Sequence, residues 1–254
     1  MKKPENKMAL MGVIQLFGRS LLDQFTKGIS LFWLGPGVVA LIVIPEFAQH
    51  VAEIQLGMFE KTETARTLGA DPVRWAFGYV KIAGLILALL ASARFWWCAS
   101  HGGHWYDVRR VAWKKLLIGL TLFVFIGLLA EPFASFVSKA GLTVLRTALS
   151  LLSLPFLFLA IAGLFGDGRI AIANVWRRSW LYLLLLAVLL VVGFGPAQYL
   201  HGLNHRQAIG APETLVWMLM TFDAFVVGLL ASLVGAGIAV SYMAFRDSIA
   251  EDVT

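Results

Sequence analysis

Residues 179–200 read SWLYLLLLAVLLVVGFGPAQYL and contain no Asp, Glu, Lys or Arg. Wound as an α-helix, a run of that length rises just over ~30 Å, the thickness of a bilayer's hydrocarbon core. Leucine and valine face every direction around such a helix, so it has no polar side to offer water. The run is also fenced at its start by Trp176, Arg177, Arg178 and Trp180, a basic and aromatic edge of the kind the headgroup zone favours. This segment predicts a membrane-spanning helix.

Outward from it, the same reading finds apolar runs at 29–44, 75–97, 116–136, 142–165 and 215–245, which makes six spans. The first is short and interrupted by Gly35-Pro36-Gly37, and the fourth carries Arg146 near its start. Composition agrees. Hydrophobic residues make up 59% of the 254 and charged ones 14%, where a soluble chain carries about 25% charge. With a mean hydropathy of +0.78, the apolar surplus must face lipid. A lone cysteine, Cys98, excludes an intrachain disulfide. The N-terminus, Met1-Lys2-Lys3-Pro4, reads as mature, because the first apolar run begins only near Ile29 and no small-residue cleavage site follows it. The expected fold is therefore all-α: a polytopic transmembrane helical bundle forming one integral-membrane domain over 1–254.

Basic residues set the expected orientation. Alternate connecting segments hold fourteen of the 21 Lys and Arg, among them Lys2, Lys3, Lys7, Arg19 and Lys27, and the opposite set holds six. Lys81 falls inside a span. The positive-inside rule then places both termini in the cytoplasm, in the inner membrane of a bacterium. Residues 8–27 put Leu10, Ile14, Phe17, Leu21 and Phe25 at helical spacing, with Gln15, Arg19, Asp23 and Lys27 elsewhere. That pattern predicts an amphipathic helix lying on the membrane surface. On the same side, Arg109, Arg110, Lys114, Lys115, Arg169, Arg177 and Arg178 form a basic rim suited to anionic lipid headgroups. Net charge +6 would also suit nucleic acid, but the basic residues flank apolar runs and build no separate domain, so no nucleic-acid partner is expected.

Ionisable groups at membrane depth cost several kcal/mol and are commonly paired or functional. Lys81, Asp223 and Glu131 lie near one depth toward the outer side, and the reading pairs Lys81 with Asp223 as an ion pair locking two hairpins. Glu46, His50 and Glu53, spaced four and three apart, share one helix face. With His201, His205 and Glu213 on the same side, they offer the imidazole and carboxylate donors that suit a divalent transition metal. The competing reading makes 46–61 an outer amphipathic helix with a solvated polar face. In the last span, Gly228, Ser232 and Ala236 form a small-residue stripe, with Gly235 alongside, which allows close packing within the bundle or against a partner subunit or second copy. His101-Gly102-Gly103-His104 reads as a turn at the interface, and no phosphate-binding loop, dinucleotide fingerprint or nucleophile elbow occurs.

Leu154-Pro155, the apolar residues to Phe165, Gly166-Asp167-Gly168-Arg169 and Trp176-Arg177-Arg178-Ser179-Trp180 together resemble a bacterial family. It includes the YciC-type inner-membrane proteins and the membrane domain attached to some glycerophosphodiester phosphodiesterases. The resemblance implies about six helices with a short acidic-then-basic connection, and it carries over no catalytic residue; which cofactor the chain uses, if any, is not indicated by the sequence. Three classes of function follow. The leading one is a non-enzymatic inner-membrane protein of envelope or lipid homeostasis, or an accessory subunit of a larger complex. A transporter using the broken first span with Lys81 and Asp223 is the second. The third is an outer-face metal-dependent membrane enzyme, which requires Glu46, His50 and His201 to converge.

Overall fold

Prolines and short caps decide where the helices begin. Pro36, Pro72 and Pro155 each open a helix at the position where the missing N–H costs nothing. Asp71 Oδ1 accepts from the backbone N–H groups of Val73 and Arg74, and Ser138 Oγ accepts from that of Gly141. The computed structural model describes residues 3–250, with side chains from Leu10 to Ile249. Lys2 and Thr254 lie outside the described residues, as do the side chains of Lys3 and Lys7.

Ten α-helices follow in order: α1 Lys3–Leu34, α2 Pro36–Gln55, α3 Thr62–Leu68, α4 Pro72–His101, α5 Trp113–Leu128, α6 Lys139–Ser153, α7 Pro155–Phe165, α8 Ile172–Arg178, α9 Trp180–Ala208 and α10 Glu213–Ala250. No strand occurs among the described residues. Among the described residues, six segments are long and apolar enough to cross a membrane: Pro36–Gln55, Pro72–His101, Trp113–Phe133, Lys139–Phe165, Trp180–Ala208 and Glu213–Ile249.

The boundaries shift most at the first span. Helix α1 does not stop at residue 27 but continues to Leu34, because nothing breaks it before Gly35, and α2 then carries the span from Pro36 to Gln55. Gly35-Pro36 is thus an elbow between two helices. Glu46, His50 and Glu53 accordingly sit inside a span, fully buried, and not on a solvated outer helix. The fourth span is two helices, since Pro155 ends the α6 ladder.

Contacts group the chain into two compact units, 1–96 with 188–239, and 97–187 with 240–254. In the first, α1 buries Ser20, Gln24, Gly28 and Leu31, while Leu10, Ile14 and Phe25 of its expected apolar face stay exposed. Gln24 Nε2 donates to the carbonyls of Leu189 (2.7 Å) and Leu233 (3.1 Å), tying α1 to α9 and α10. Ile42, Ala88, Val227 and Ala231 form a core shared by α2, α4 and α10. Pro45 sits inside α2 and leaves the Leu41 carbonyl without its helical donor. That carbonyl packs against Gly84 of α4, where a Cβ would come within 2.5 Å of it.

The second unit packs α5 against α7 at Gly163, where a Cβ would lie 2.5 Å from Leu116 Cα. The connection after α7 is held by Asp167: its Oδ2 pairs with Arg246 Nε (3.1 Å) and accepts from Tyr242 (3.1 Å). Its backbone carbonyl accepts from Lys115 Nζ at 2.6 Å.

Candidate metal centre

Four helices of the first unit deliver ionisable side chains to one place. Helix α2 supplies Glu46, His50 and Glu53 from one face at spacings of four and three, as 3.6 residues per turn requires. Helix α4 supplies Arg74 and Lys81. His201, Asn204 and His205 come from the last turns of α9, and Asp223 from about three turns into α10.

Asp223 is the hub. Its Oδ2 lies 3.1 Å from His50 Nε2, 2.5 Å from His201 Nδ1 and 3.5 Å from His205 Nε2. Its Oδ1 accepts from Asn204 Nδ2 at 2.8 Å. His50 Nε2 is also 3.2 Å from Glu46 Oε1, while its Nδ1 is 3.2 Å from Glu53 Oε2. Glu53 is fixed in turn by Gln49 (2.8 Å) and Arg74 Nε (2.9 Å). Lys81 Nζ approaches Glu46 Oε1 at 2.8 Å.

This geometry corrects the expected ion pair. Lys81 pairs with Glu46, and Asp223 is met instead by the imidazoles of His50, His201 and His205. Glu131 joins neither: it pairs with Arg146 of α6 at 2.8 Å, with both side chains about half exposed.

Two features fit a bound cation. First, Glu46, Glu53 and Asp223 bring three carboxylates against two fixed cations, Lys81 and Arg74, and all three acids are fully buried. Buried charge of one sign without compensation is costly, and the third positive charge is one that either a protonated imidazole or a bound cation supplies. Second, Glu46 Oε2 is buried without a hydrogen-bond partner. An ion with bonds of about 2.1 Å sets neighbouring donors about 3.0–3.4 Å apart, close to the 3.1 and 3.2 Å around His50 Nε2. Among the described residues, two overlapping triads have donor atoms within 4.8 Å of one another: His50, His205 and Asp223; and Glu46, His201 and Asp223. Glu53 stands behind His50 as carboxylates commonly stand behind metal-ligating histidines, turning Nε2 toward the centre. His201 and His205 keep 16% and 24% of their side-chain surface exposed, which leaves the centre accessible from one side.

Sequence reasoning missed Gln49, Arg74 and Asn204. Asn204 follows His201 by three residues, so helical spacing was a usable signal; Arg74 carried none. Glu213, exposed at the start of α10, is not part of the cluster.

The remaining sequence-predicted residues do not join this cluster. Arg109 and Arg110 both pair with Asp107, and the Arg109 side chain holds the Asp107 carboxyl below its ordinary range. Lys115 is spent on the carbonyls of Asp167 and Ile170. Lys114, Arg169, Arg177 and Arg178 are exposed. Gly228, Ser232, Gly235 and Ala236 are buried within the first unit. A Cβ on Gly228 would come within 2.7 Å of Val43, and one on Gly235 within 2.4 Å of Ser92, so the stripe seats α2 and α4. His101 stacks on Trp97 and His104 on Tyr106, and the two histidines form no joint site.

Comparison of the chain with protein-family models, curated proteins and solved structures gives no match.

Proposed function

We propose that this chain is a multi-pass protein of the bacterial inner membrane, with both termini inside, that holds one divalent transition-metal ion near its outer side and uses it for metal-assisted hydrolysis. The observation that carries the reading is the surroundings of His50. Glu53 occupies its Nδ1, and two carboxylates crowd its Nε2 at 3.1 and 3.2 Å. A proton on Nε2 satisfies one of them well, whereas a cation between the three groups satisfies all. Imidazole and carboxylate donors are compatible with zinc, as they are with other divalent first-row ions.

The outer placement rests on helix order and basic asymmetry. The site residues lie toward the C-terminal ends of α2 and α9 and the N-terminal ends of α4 and α10. Those ends adjoin the connections poorest in Lys and Arg. A catalytic zinc site uses three protein ligands and an open position. His50, His205 and Asp223 form such a set, with Glu46 and His201 beside the position left over. Zinc held by His50, His205 and Asp223 would supply Lewis acidity to a bound water. Glu46 would then be the proton acceptor, and Lys81, ion-paired with Glu46, would supply positive charge to a developing oxyanion. A second reading, a structural ion fastening α2, α9 and α10, is favoured by the number of protein donors, which exceeds the three of an open site.

The test is elemental analysis of the protein purified in mild detergent, stripped with chelator and reloaded with zinc. One ion per chain in the wild type, lost in His50→Ala with Asp223→Ala, supports the site; no ion in the reloaded wild type overturns it. Turnover of an activated ester or phosphodiester that Glu46→Gln abolishes while keeping zinc selects hydrolysis. Zinc retention with no turnover, and a Tm that falls on chelation, selects the structural ion.

A further inference from the structure

The second unit carries an independent site. A groove of about 440 Å³ runs beside the start of α5, walled by Trp113, Ile118, Leu159, Ile170 and Ile172, with Lys114 at its edge. Its lining is almost wholly apolar, and Trp113 is 53% exposed, its indole Nε1 donating to the Val108 carbonyl at 3.2 Å. The groove is pre-formed. Lys115 bridges from α5 to the carbonyls of Asp167 and Ile170 at 2.6 and 3.0 Å, and Asp167 is anchored by Arg246 and Tyr242. One wall is thus held by a buried polar network and does not depend on an occupant.

The cations at this edge divide into two kinds. Lys115 is consumed by the wall. Lys114, in the groove lining, and Arg169, next to Ile170, are exposed and have no acidic partner among the described residues. An apolar slot beside an amphipathic tryptophan and two unneutralised cations matches one ligand chemistry: an acyl chain joined to an anionic headgroup.

We infer that this groove binds an anionic phospholipid, with an acyl chain along Ile118, Leu159 and Ile170 and its phosphate between Lys114 and Arg169. The site rests on the membrane-spanning assignment but not on the metal centre, which lies in the other unit.

The test is native mass spectrometry of the full chain released from nanodiscs containing equal phosphatidylglycerol and phosphatidylcholine. Wild type is expected to retain phosphatidylglycerol preferentially. Each cation near a membrane surface contributes about fivefold, so Lys114→Gln with Arg169→Gln should cut that preference by about 25-fold and leave phosphatidylcholine retention unchanged. Ala171→Trp, which fills the slot without touching the cations, should lower retention of both lipids. Equal retention of the two lipids by the wild type, or a preference that survives both variants, overturns the site. A Tm matching the wild type confirms that each variant is folded.

Discussion

His50 and Asp223 stand 173 positions apart in the chain and meet at 3.1 Å, both fully buried. The contact joins α2 to α10 and is the axis on which the other ionisable groups of the first unit are arranged. Removing the Asp223 carboxylate takes the common partner from three imidazoles at once. Asp223→Asn should lower zinc affinity by at least tenfold, read by competition with a chromogenic chelator; unchanged affinity would remove Asp223 from the ligand set.

Glu53 reaches the centre only through His50. A group that orients a ligating histidine is worth about 10–100-fold in metal affinity. Glu53→Gln should therefore weaken zinc binding by that factor without abolishing it, and Arg74→Gln, one step further out, should do less. Complete loss of zinc binding in Glu53→Gln would show that Glu53 acts as a ligand itself.

Lys81 and Glu46 form a partly buried pair at 2.8 Å. Breaking such a pair from one side leaves an uncompensated charge and costs about 3–5 kcal/mol when burial is complete. Lys81 retains 21% of its side-chain exposure, so Lys81→Met should cost less than that. The double variant Lys81→Met with Glu46→Gln should recover most of the loss in chelator-treated protein, measured by thermal unfolding in detergent. Additive losses would mean that the two residues act separately.

Gly84 gives the room that Pro45 requires. The Leu41 carbonyl and the Pro45 ring crowd the position a Cβ would take, at 2.5 and 3.0 Å. Gly84→Val should separate α2 from α4 and destabilise the protein by about 1–3 kcal/mol. Because Glu46 and Lys81 ride on those same helices, zinc affinity should fall with it. Gly127→Ala is the control, since a Cβ there meets nothing within 4 Å.

Glu131 and Arg146 pair at 2.8 Å with both side chains 48% exposed. Both residues lie in segments apolar enough to cross a membrane, where an unpaired charge is costly, so Arg146→Gln should lower the melting temperature. A melting temperature within error of wild type would show that the pair faces water, where such pairs contribute little.

Much of this protein is legible in its sequence. Twenty-odd apolar residues can satisfy their backbone in lipid only as a helix, so 179–200 had no alternative, and five more runs followed it. Proline and glycine marked the elbow at Gly35-Pro36. The spacing of Glu46, His50 and Glu53 fixed a shared face in advance, because helical periodicity is local. Which face was buried was not local. Residues 8–27 present an apolar stripe, yet α1 buries Ser20, Gln24 and Gly28, because α9 and α10 offer it carbonyls and close contact there. The partner of each charge was likewise decided only in three dimensions. Position along a span gives a side chain's depth, and by depth alone Lys81 suited Asp223 as well as Glu46. Direction around the axis depends on how neighbouring helices rotate and how closely they approach, and that is set by small residues such as Gly84, Gly228 and Gly235. The packing turned Lys81 to Glu46 and left Asp223 to three histidines.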